Sequence, residues 1–467
     1  MGEVTASGRR LRRAFVSSVA ALGILLAPVL AQAQTLIRDT EVEETLRAGA
    51  DPLIKAAGLE PRDVEIMIIG DKELNAFATS GQRMGFHTGL IIEADTPNQL
   101  RGVMAHEVCH IACGHTARSG EMMRAGLRPM LLTMGLGILA AFAGAPDAAA
   151  GLLASGGQFG MLNILNYSRV QESSADVGAA SYLEKTGQSG RGLVEFFENF
   201  RYQEVFSEAR RFAYFRSHPI SSERIVALRS RVERSPHYGK TDTAEDIAAH
   251  EIMKAKLDSF LSPPQQSFIK YKEKDRSFPA RYARAIAYYR ASEPDKSLKA
   301  IDELLAEQPQ NPYLWELKGQ VLFENGRVAE AEAPHRRSVE LKPDAPLLRV
   351  NLGQTVLALE NGRRADEAIV ELRRAVALEK DNSFAWRLLS RAYDSKGLAG
   401  AARLAAAEAE FSVGDEKQAR VFAMRAREQL DRGTPEWRRA TDIVLASDPS
   451  REDLRDIARD DRTLISR

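Results

Sequence analysis

His106, Glu107 and His110 stand in the stretch GVMAHEVCHIACGHT, residues 102–116. On an α-helix, positions i and i+4 fall one turn apart on the same face, so the two imidazoles can converge on one metal ion. Glu107 lies too close in sequence to His106 to bind the same ion comfortably. It can reach a water held by that ion, which makes it the candidate general base. Neutral imidazole and carboxylate donors suit Zn²⁺, which lowers the pKa of a water it binds to roughly 7 and leaves a position open for a peptide carbonyl. The pattern is short, and an isolated copy also fits an ordinary buried helix with a salt-bridged glutamate. Here Val103, Met104, Ala105, Val108, Ile111 and Ala112 are apolar, so the helix is buried, and its histidines and carboxylate need partners that a metal supplies.

A catalytic site also needs a third protein ligand. In NYSRVQESSADVGAA, residues 166–180, Glu172 and Asp176 sit one helical turn apart among small residues that allow a close approach. Glu172 is the expected third ligand to one Zn²⁺ per chain, with Asp176 orienting a ligating histidine from behind.

Elements that position these groups can be read around them. Val42, Leu46, Leu53 and Ile54 have helical spacing between residues 35 and 59, ending at Gly58 and Pro61. Val64, Ile66 and Ile68 mark a short strand, and LNAFATSGQRMGFHTGLII, residues 74–92, has the glycines and alternation of a small sheet or hairpin. Cleavage of an extended chain requires an exposed strand edge beside the metal. Gln82–Thr88 is the candidate edge, with Asn75, Gln82 and Thr88 as candidate substrate-binding residues.

At the start of the chain, Arg9, Arg10, Arg12 and Arg13 precede an apolar run, Ala14–Leu30, closed by Ala31-Gln32-Ala33. This reads as a secretory signal peptide cleaved after Ala33, which predicts a soluble, extracytoplasmic mature protein. The 64 basic and 64 acidic residues cancel, so no global field attracts nucleic acid, and no nucleic-acid partner is expected. The two cysteines, Cys109 and Cys113, are one turn apart on the metal helix, where a disulfide would strain an α-helix, so they read as small buried thiols. Between Arg128 and Arg169 the only charge is Asp147. The apolar stretches there are shorter than the roughly 20 residues of a membrane span. They read as buried core helices or, as the second possibility, as helices of 129–168 resting on a lipid surface or lining a substrate groove.

HEVCH followed by ESSAD resembles the gluzincin family of the CAAX-prenyl protease and the HtpX heat-shock protease. Asn75-Ala76-Phe77-Ala78 resembles the family's strand before the zinc helix, and Thr88-Gly89-Leu90 its continuation. Ser217-His218-Pro219, with Arg224 following, resembles its downstream element. The resemblance covers roughly residues 40 to 235. It implies His106, His110 and Glu172 as ligands, Glu107 as base, and His218 and Arg224 near the site. His218 then either binds zinc in the resting enzyme and occludes the water, or hydrogen-bonds the oxyanion of the tetrahedral intermediate. Arg224 either does the latter or fixes the loop. His87 and His115 are left as structural residues or as supports behind the ligands.

Beyond Ser235, charge and proline rise, and residues 236–280 read as a linker with connecting helices. From about residue 281 helical hairpins repeat: Gly319-Gln320 recurs as Gly353-Gln354, 34 residues later, the tetratricopeptide period. The expected fold class is mainly α: an α+β zincin-type metalloprotease domain with a small sheet, residues 34–235, followed by an α-solenoid of tetratricopeptide repeats, 281–445, and a tail, 446–467. Such repeats bind peptides or partner proteins on a concave face. Signal, protease and repeats together resemble periplasmic proteases that act in outer-membrane β-barrel assembly. That resemblance implies a periplasmic zinc metalloendopeptidase acting on unfolded or misassembled outer-membrane proteins, and partnership with the barrel assembly machinery through the repeats. The alternative is a non-proteolytic chaperone or scaffold working through the repeat domain.

Overall fold

The computed structural model describes residues 35–118, 124, 127–128, 130–136, 167–206, 218–359 and 363–465. The signal-peptide expectation for residues 1–33 and nearly all of the apolar stretch 129–168 lie outside the described residues. Among the described residues, no helix is long and apolar enough to cross a membrane.

The first described elements are a two-residue strand, β1 (Leu36–Ile37), and a helix, α1 (Thr40–Ala56). Asp39 caps α1 by accepting from the Val42 N–H at 2.9 Å, which satisfies one of the helix's orphan donors. Val42, Leu46, Ala50 and Leu53 recur at helical spacing and are completely buried. Three further strands follow: β2 (Glu65–Ile69), β3 (Ala76–Thr79) and β4 (Arg83–His87). They form a four-stranded sheet in the order β1-β2-β4-β3. β2 pairs parallel with β4, Ile68 opposite Phe86, while β1 and β3 pair antiparallel with their neighbours.

This order corrects the expected substrate edge. β4, within Gln82–Thr88, is paired on both sides, so its main-chain groups are already used. β3 and the two-residue β1 are the edge strands, and β3 is the one packed against the metal helix.

A short helix, α2 (Thr88–Glu93), leads to α3 (Pro97–Ala112), the helix of the paired histidines. Thr96 caps α3 by accepting from the Gln99 N–H, and Pro97 occupies its first turn, where a missing N–H costs nothing. α3 is buried nearly all round, from Val103 to Ile111. It packs against α1, β3 and α5 (Arg191–Phe206), whose Leu193 backbone lies where a Cβ on Gly102 would sit. A helix over residues 167–185, α4, and α6 (Ser222–Val232) complete the protease half.

The stretch expected to connect the two halves contains α7 (Ala244–Leu261). Its Met253 and Leu257 belong to the core beneath the sheet, whereas Ile252 and Phe260 pack against the first repeat core. The short α8 (Pro264–Lys270) follows. Antiparallel hairpins then run from α9 (Phe278–Arg290) and α10 (Pro294–Glu307) through α11 (Pro312–Glu324), α12 (Val328–Leu341), α13 (Pro346–Ala358) and α14 (Ala365–Leu378). They continue as α15 (Ser383–Ser395), α16 (Ala399–Ser412), α17 (Glu416–Gln429) and α18 (Pro435–Ala446), and α19 (Arg451–Ile465) closes the described chain. The recurring glycine has a packing reason. A Cβ at Gly353 of α13 would come 2.7 Å from Leu372 Cγ of α14, and one at Gly319 would run into the His335 ring.

Candidate metal centre

α3 and α4 bring the donors together. His106 and His110 point their Nε2 atoms toward one another at 3.2 Å, as i, i+4 spacing on a helix requires. Glu172 of α4 reaches the same point, its carboxylate 3.3 Å from His106 Nε2 and 3.5 Å from His110 Nε2. The small residues around it permit that approach: a Cβ on Gly178 would collide with Cys109 of α3. His218, just before α6, completes the group, with its Nδ1 3.1 Å from both Glu172 oxygens and 3.3 Å from His106 Nε2. Ligand atoms of all four residues lie within 4.8 Å of one another, and all four side chains are buried.

The electrostatics are those of a cluster arranged for a cation. Burial opposes a charge on His106, but hydrogen bonds to Asp176 and Glu172 outweigh it and push the ring up to about 10. His110 is driven the other way, to about 2, by burial and then by the charge on His106. Burial raises Glu172, yet His218 and His106 hold it well below the usual carboxylate range. Burial also raises Glu107, although His218, His106 and the backbone of Ala78 temper the effect. Both Glu107 oxygens are buried and neither makes a hydrogen bond of normal geometry; the nearest ring atom is His218 Nε2, 3.6 Å from Oε1. A buried carboxylate without donors is costly, and a cation with its water relieves that cost. The residues present therefore fit a metal ion with nitrogen and oxygen ligands, and Zn²⁺ suits such a set.

The supporting groups are equally specific. Asp176 Oδ1 lies 3.1 Å from His106 Nδ1, which fixes the tautomer that directs Nε2 into the site. Arg224 grips Asp176 with two hydrogen bonds of 2.8 Å, donates to the Pro219 carbonyl at 2.7 Å, and approaches Glu172 Oε2 to 3.1 Å. Of the two roles weighed for Arg224, the geometry favours fixing the loop and carboxylates over meeting an oxyanion. Phe197 packs its ring against His106 and under the Arg224 guanidinium.

The substrate-binding expectations fare differently. Asn75 precedes the edge strand, accepts the His87 N–H at its carbonyl, and leaves its buried side-chain oxygen without a partner. Gln82 sits exposed in the β3–β4 turn with φ 55°, and Thr88 is buried with its hydroxyl donating to the Asp71 carbonyl. Neither lies on a free strand edge: Gln82 is in the turn and Thr88 follows the doubly paired β4. The cysteine reading is also corrected: Cys109 and Cys113 are joined as a disulfide with Cα atoms 5.3 Å apart, within the usual span. The helix ends at Ala112, and Cys113 is its C-cap residue.

With this geometry in hand, comparison with known proteins is direct. The profile of peptidase family M48 matches residues 38–232, and a tetratricopeptide-repeat profile matches residues 282–346. The chain is 24% identical over 371 residues to the beta-barrel assembly-enhancing protease of Yersinia pestis, covering 78% of this chain and 74% of that one. It is 25% identical over 367 residues to the protein of the same name from Escherichia coli strain K12, covering 76% and 73%. The metalloprotease LoiP of the same strain is 30% identical over 167 residues, 34% of this chain and 60% of that one. The chain is therefore a metalloendopeptidase with a peptidase family M48 domain and tetratricopeptide repeats, homologous to the beta-barrel assembly-enhancing proteases.

Proposed function

We propose that this protein is a zinc-dependent endopeptidase of the periplasm that degrades misfolded or misassembled envelope proteins and assists outer-membrane β-barrel assembly, with the repeats recruiting partners. The observation that carries this reading is the convergence of His106, His110 and Glu172 beside a buried Glu107 whose oxygens lack a hydrogen bond of normal geometry, next to the edge strand β3. The names of the relatives support the substrate class, and the basic, then apolar, then small-residue start of the sequence supports export.

His106 Nε2, His110 Nε2 and a Glu172 oxygen would hold the ion, with His218 Nδ1 as a fourth donor in the arrangement seen. Zinc bound there supplies Lewis acidity, which polarises a carbonyl and acidifies water. Extended substrate adds to β3 by main-chain hydrogen bonds, which read no side chain and so admit many sequences. Glu107 takes the proton from the attacking water and delivers it to the leaving amine. Its raised affinity for that proton, a consequence of burial, suits both halves of the transfer. His218 Nδ1 lies among the donors, 3.3 Å from His106 Nε2 and 3.1 Å from the Glu172 oxygens, so in this reading it acts as a brake that moves aside when substrate arrives. Arg224 and Asp176 keep His106 and Glu172 aligned throughout.

The repeats add a recruitment surface. A cavity of about 430 Å³ is lined by Glu316, Gln320, Val350, Gln354 and Phe384, residues that recur at the 34-residue period on successive first helices. This is the concave face that such repeats use for extended ligands, and it opens beside α1 of the protease half.

The test is zinc content together with degradation of an unfolded β-barrel protein by wild type, Glu107→Gln and His218→Ala. The proposal expects one zinc per chain, cleavage by wild type, loss of cleavage with retained zinc in Glu107→Gln, and faster cleavage by His218→Ala. Slower cleavage by His218→Ala would make that histidine a catalytic helper. A wild type that never binds zinc or never cuts would return the function to a chaperone acting through the repeats.

A further inference from the structure

Each metal-facing histidine of α3 has a second nitrogen to satisfy. For His106 the partner is Asp176. For His110 it is His115, whose Nδ1 lies 3.1 Å from His110 Nδ1. A metal on His110 Nε2 requires the proton on Nδ1, so with the ion bound His110 Nδ1–H donates and His115 Nδ1 accepts, and the contact favours the tautomer that leaves Nε2 free for the ion. His115 is not on the helix. The chain leaves α3 at Cys113, turns at Gly114 with φ +73°, and returns His115 so that its N–H donates to the His110 carbonyl at 3.0 Å.

The turn that carries His115 begins at a covalent anchor. Cys113 is bonded to Cys109. Cys109 is completely buried, its Sγ 3.6 Å from the Ser174 carbonyl and pressed against Gly178, so it is wedged between α3 and the Glu172 helix. Cys113 is partly exposed. The disulfide thus ties the end of α3, whose Cys109, His110 and Ile111 carbonyls accept from the N–H groups of the turn, to a buried point against the Glu172 helix.

We propose that the Cys109–Cys113 disulfide positions His115 against His110, so that the redox state of the pair sets how tightly the site holds its metal. This rests on the metal-centre reading above. Reduction would come from a dithiol, the chemistry of thiol–disulfide oxidoreductases. One thiolate attacks the accessible Cys113 sulfur, the S–S bond breaks, and Cys109 leaves with the electron pair and takes up a proton. The second thiol of the reductant then resolves the mixed disulfide, so two electrons and two protons pass to the protein and the reductant becomes a disulfide. Freed of its tether, the turn releases His115 from His110. Loss of such a supporting partner typically lowers metal affinity about 10–100-fold. His115 is in these terms a positioning residue, acting through His110.

The experiment uses the full-length mature chain and zinc itself. Zinc affinity is measured by competition with a chromophoric chelator, in protein kept oxidised and in protein treated with a phosphine reductant. Mass spectrometry of unreduced peptides reports the disulfide, and the visible spectrum of the cobalt-substituted protein reports ligand geometry. The oxidised wild type is expected to bind zinc at least tenfold more tightly than the reduced form, with a shifted cobalt spectrum. His115→Ala is expected to match the weaker state whether oxidised or reduced, and Cys113→Ser to match reduced wild type. Equal affinity in the two wild-type states overturns the inference, and that comparison needs no substitution to fold. Redox dependence that survives in His115→Ala overturns it too, as does tighter binding on reduction, which would mean that the thiolates capture the metal. Zinc absent from every form overturns both this inference and the metal-centre reading; zinc held equally in both redox states overturns this one alone.

Discussion

The molecule buries charge in two places and resolves it in two ways. Where α1 meets the repeats, Lys256 Nζ lies 2.7 Å from Asp39 and 3.1 Å from Glu41, and Glu41 also accepts from the Tyr282 hydroxyl at 3.0 Å. The ammonium answers both carboxylates directly, while burial pushes the neighbouring Glu316 carboxyl up to about 8. In the metal centre, three imidazoles crowd one carboxylate while Glu107 keeps two buried oxygens without a hydrogen bond. Burial is nearly complete in both. A cluster that meets its carboxylates with an ammonium of its own is a joint between domains, whereas one that aims several lone pairs at a common point is built to receive a cation.

The largest expected effect separates the two directly. Glu107→Gln should lower peptide cleavage by about 10²–10⁴-fold, with zinc content by elemental analysis and the melting temperature unchanged. Lys256→Met, at the joint, should do the reverse. It leaves Asp39 and Glu41 buried without their cation and should destabilise the fold by about 3 kcal/mol, read as a lower urea midpoint, while cleavage per folded molecule stays near wild type.

Asp176→Ala tests whether the metal centre also has a joint of its own. The Arg224 guanidinium would lose its bidentate partner, and His106 its orienting acceptor. Zinc affinity should weaken by about 10–100-fold, and unfolding should become easier by roughly 3 kcal/mol. A loss of affinity without loss of stability would break the assignment of Arg224 to a supporting role.

A smaller effect lies in the repeats. Burial pushes His335 down to about 4, below its ordinary value of 6.5. The folded ring resists a proton that the unfolded chain accepts, so its contribution is fully present above about pH 6.5 and is lost as pH falls toward 4. On the order of 2 kcal/mol should disappear between pH 7 and pH 4.5, and His335→Leu should flatten that dependence in urea titrations. The smallest effect is expected at Gln82. Gln82→Ala should leave cleavage within about twofold of wild type, because the β3–β4 turn is exposed and the substrate edge lies elsewhere.

Local features were legible in the sequence, and relations between distant segments were not. The i, i+4 histidines needed only a helix, and Glu172 beside small residues needed only a second one. The 34-residue recurrence of Gly-Gln announced the repeats. The unpaired strand of the hairpin was not legible because a hairpin always yields two strands, and which one stays free depends on the parallel pairing of β2 with β4, a contact the pattern of either strand does not encode. The disulfide escaped because a continuous helix was assumed through Cys113, although Gly114 offered the signal for a stop. α7 falls where connecting helices are expected, but its part in two cores was not legible, because the charges and prolines around it read as a connection.

That last feature bears on how this protein could have arisen. Met253 and Leu257 fill the protease interior from a helix whose opposite side begins the repeat stack. A protease severed ahead of residue 244 would open a hole beneath its own sheet, and a repeat array severed after residue 261 would lose its first wall. The halves are thus not interchangeable cartridges. A lineage that traded one repeat array for another had to bring a new α7 with it, and any partner that levers the repeats pulls on a helix rooted beside α3.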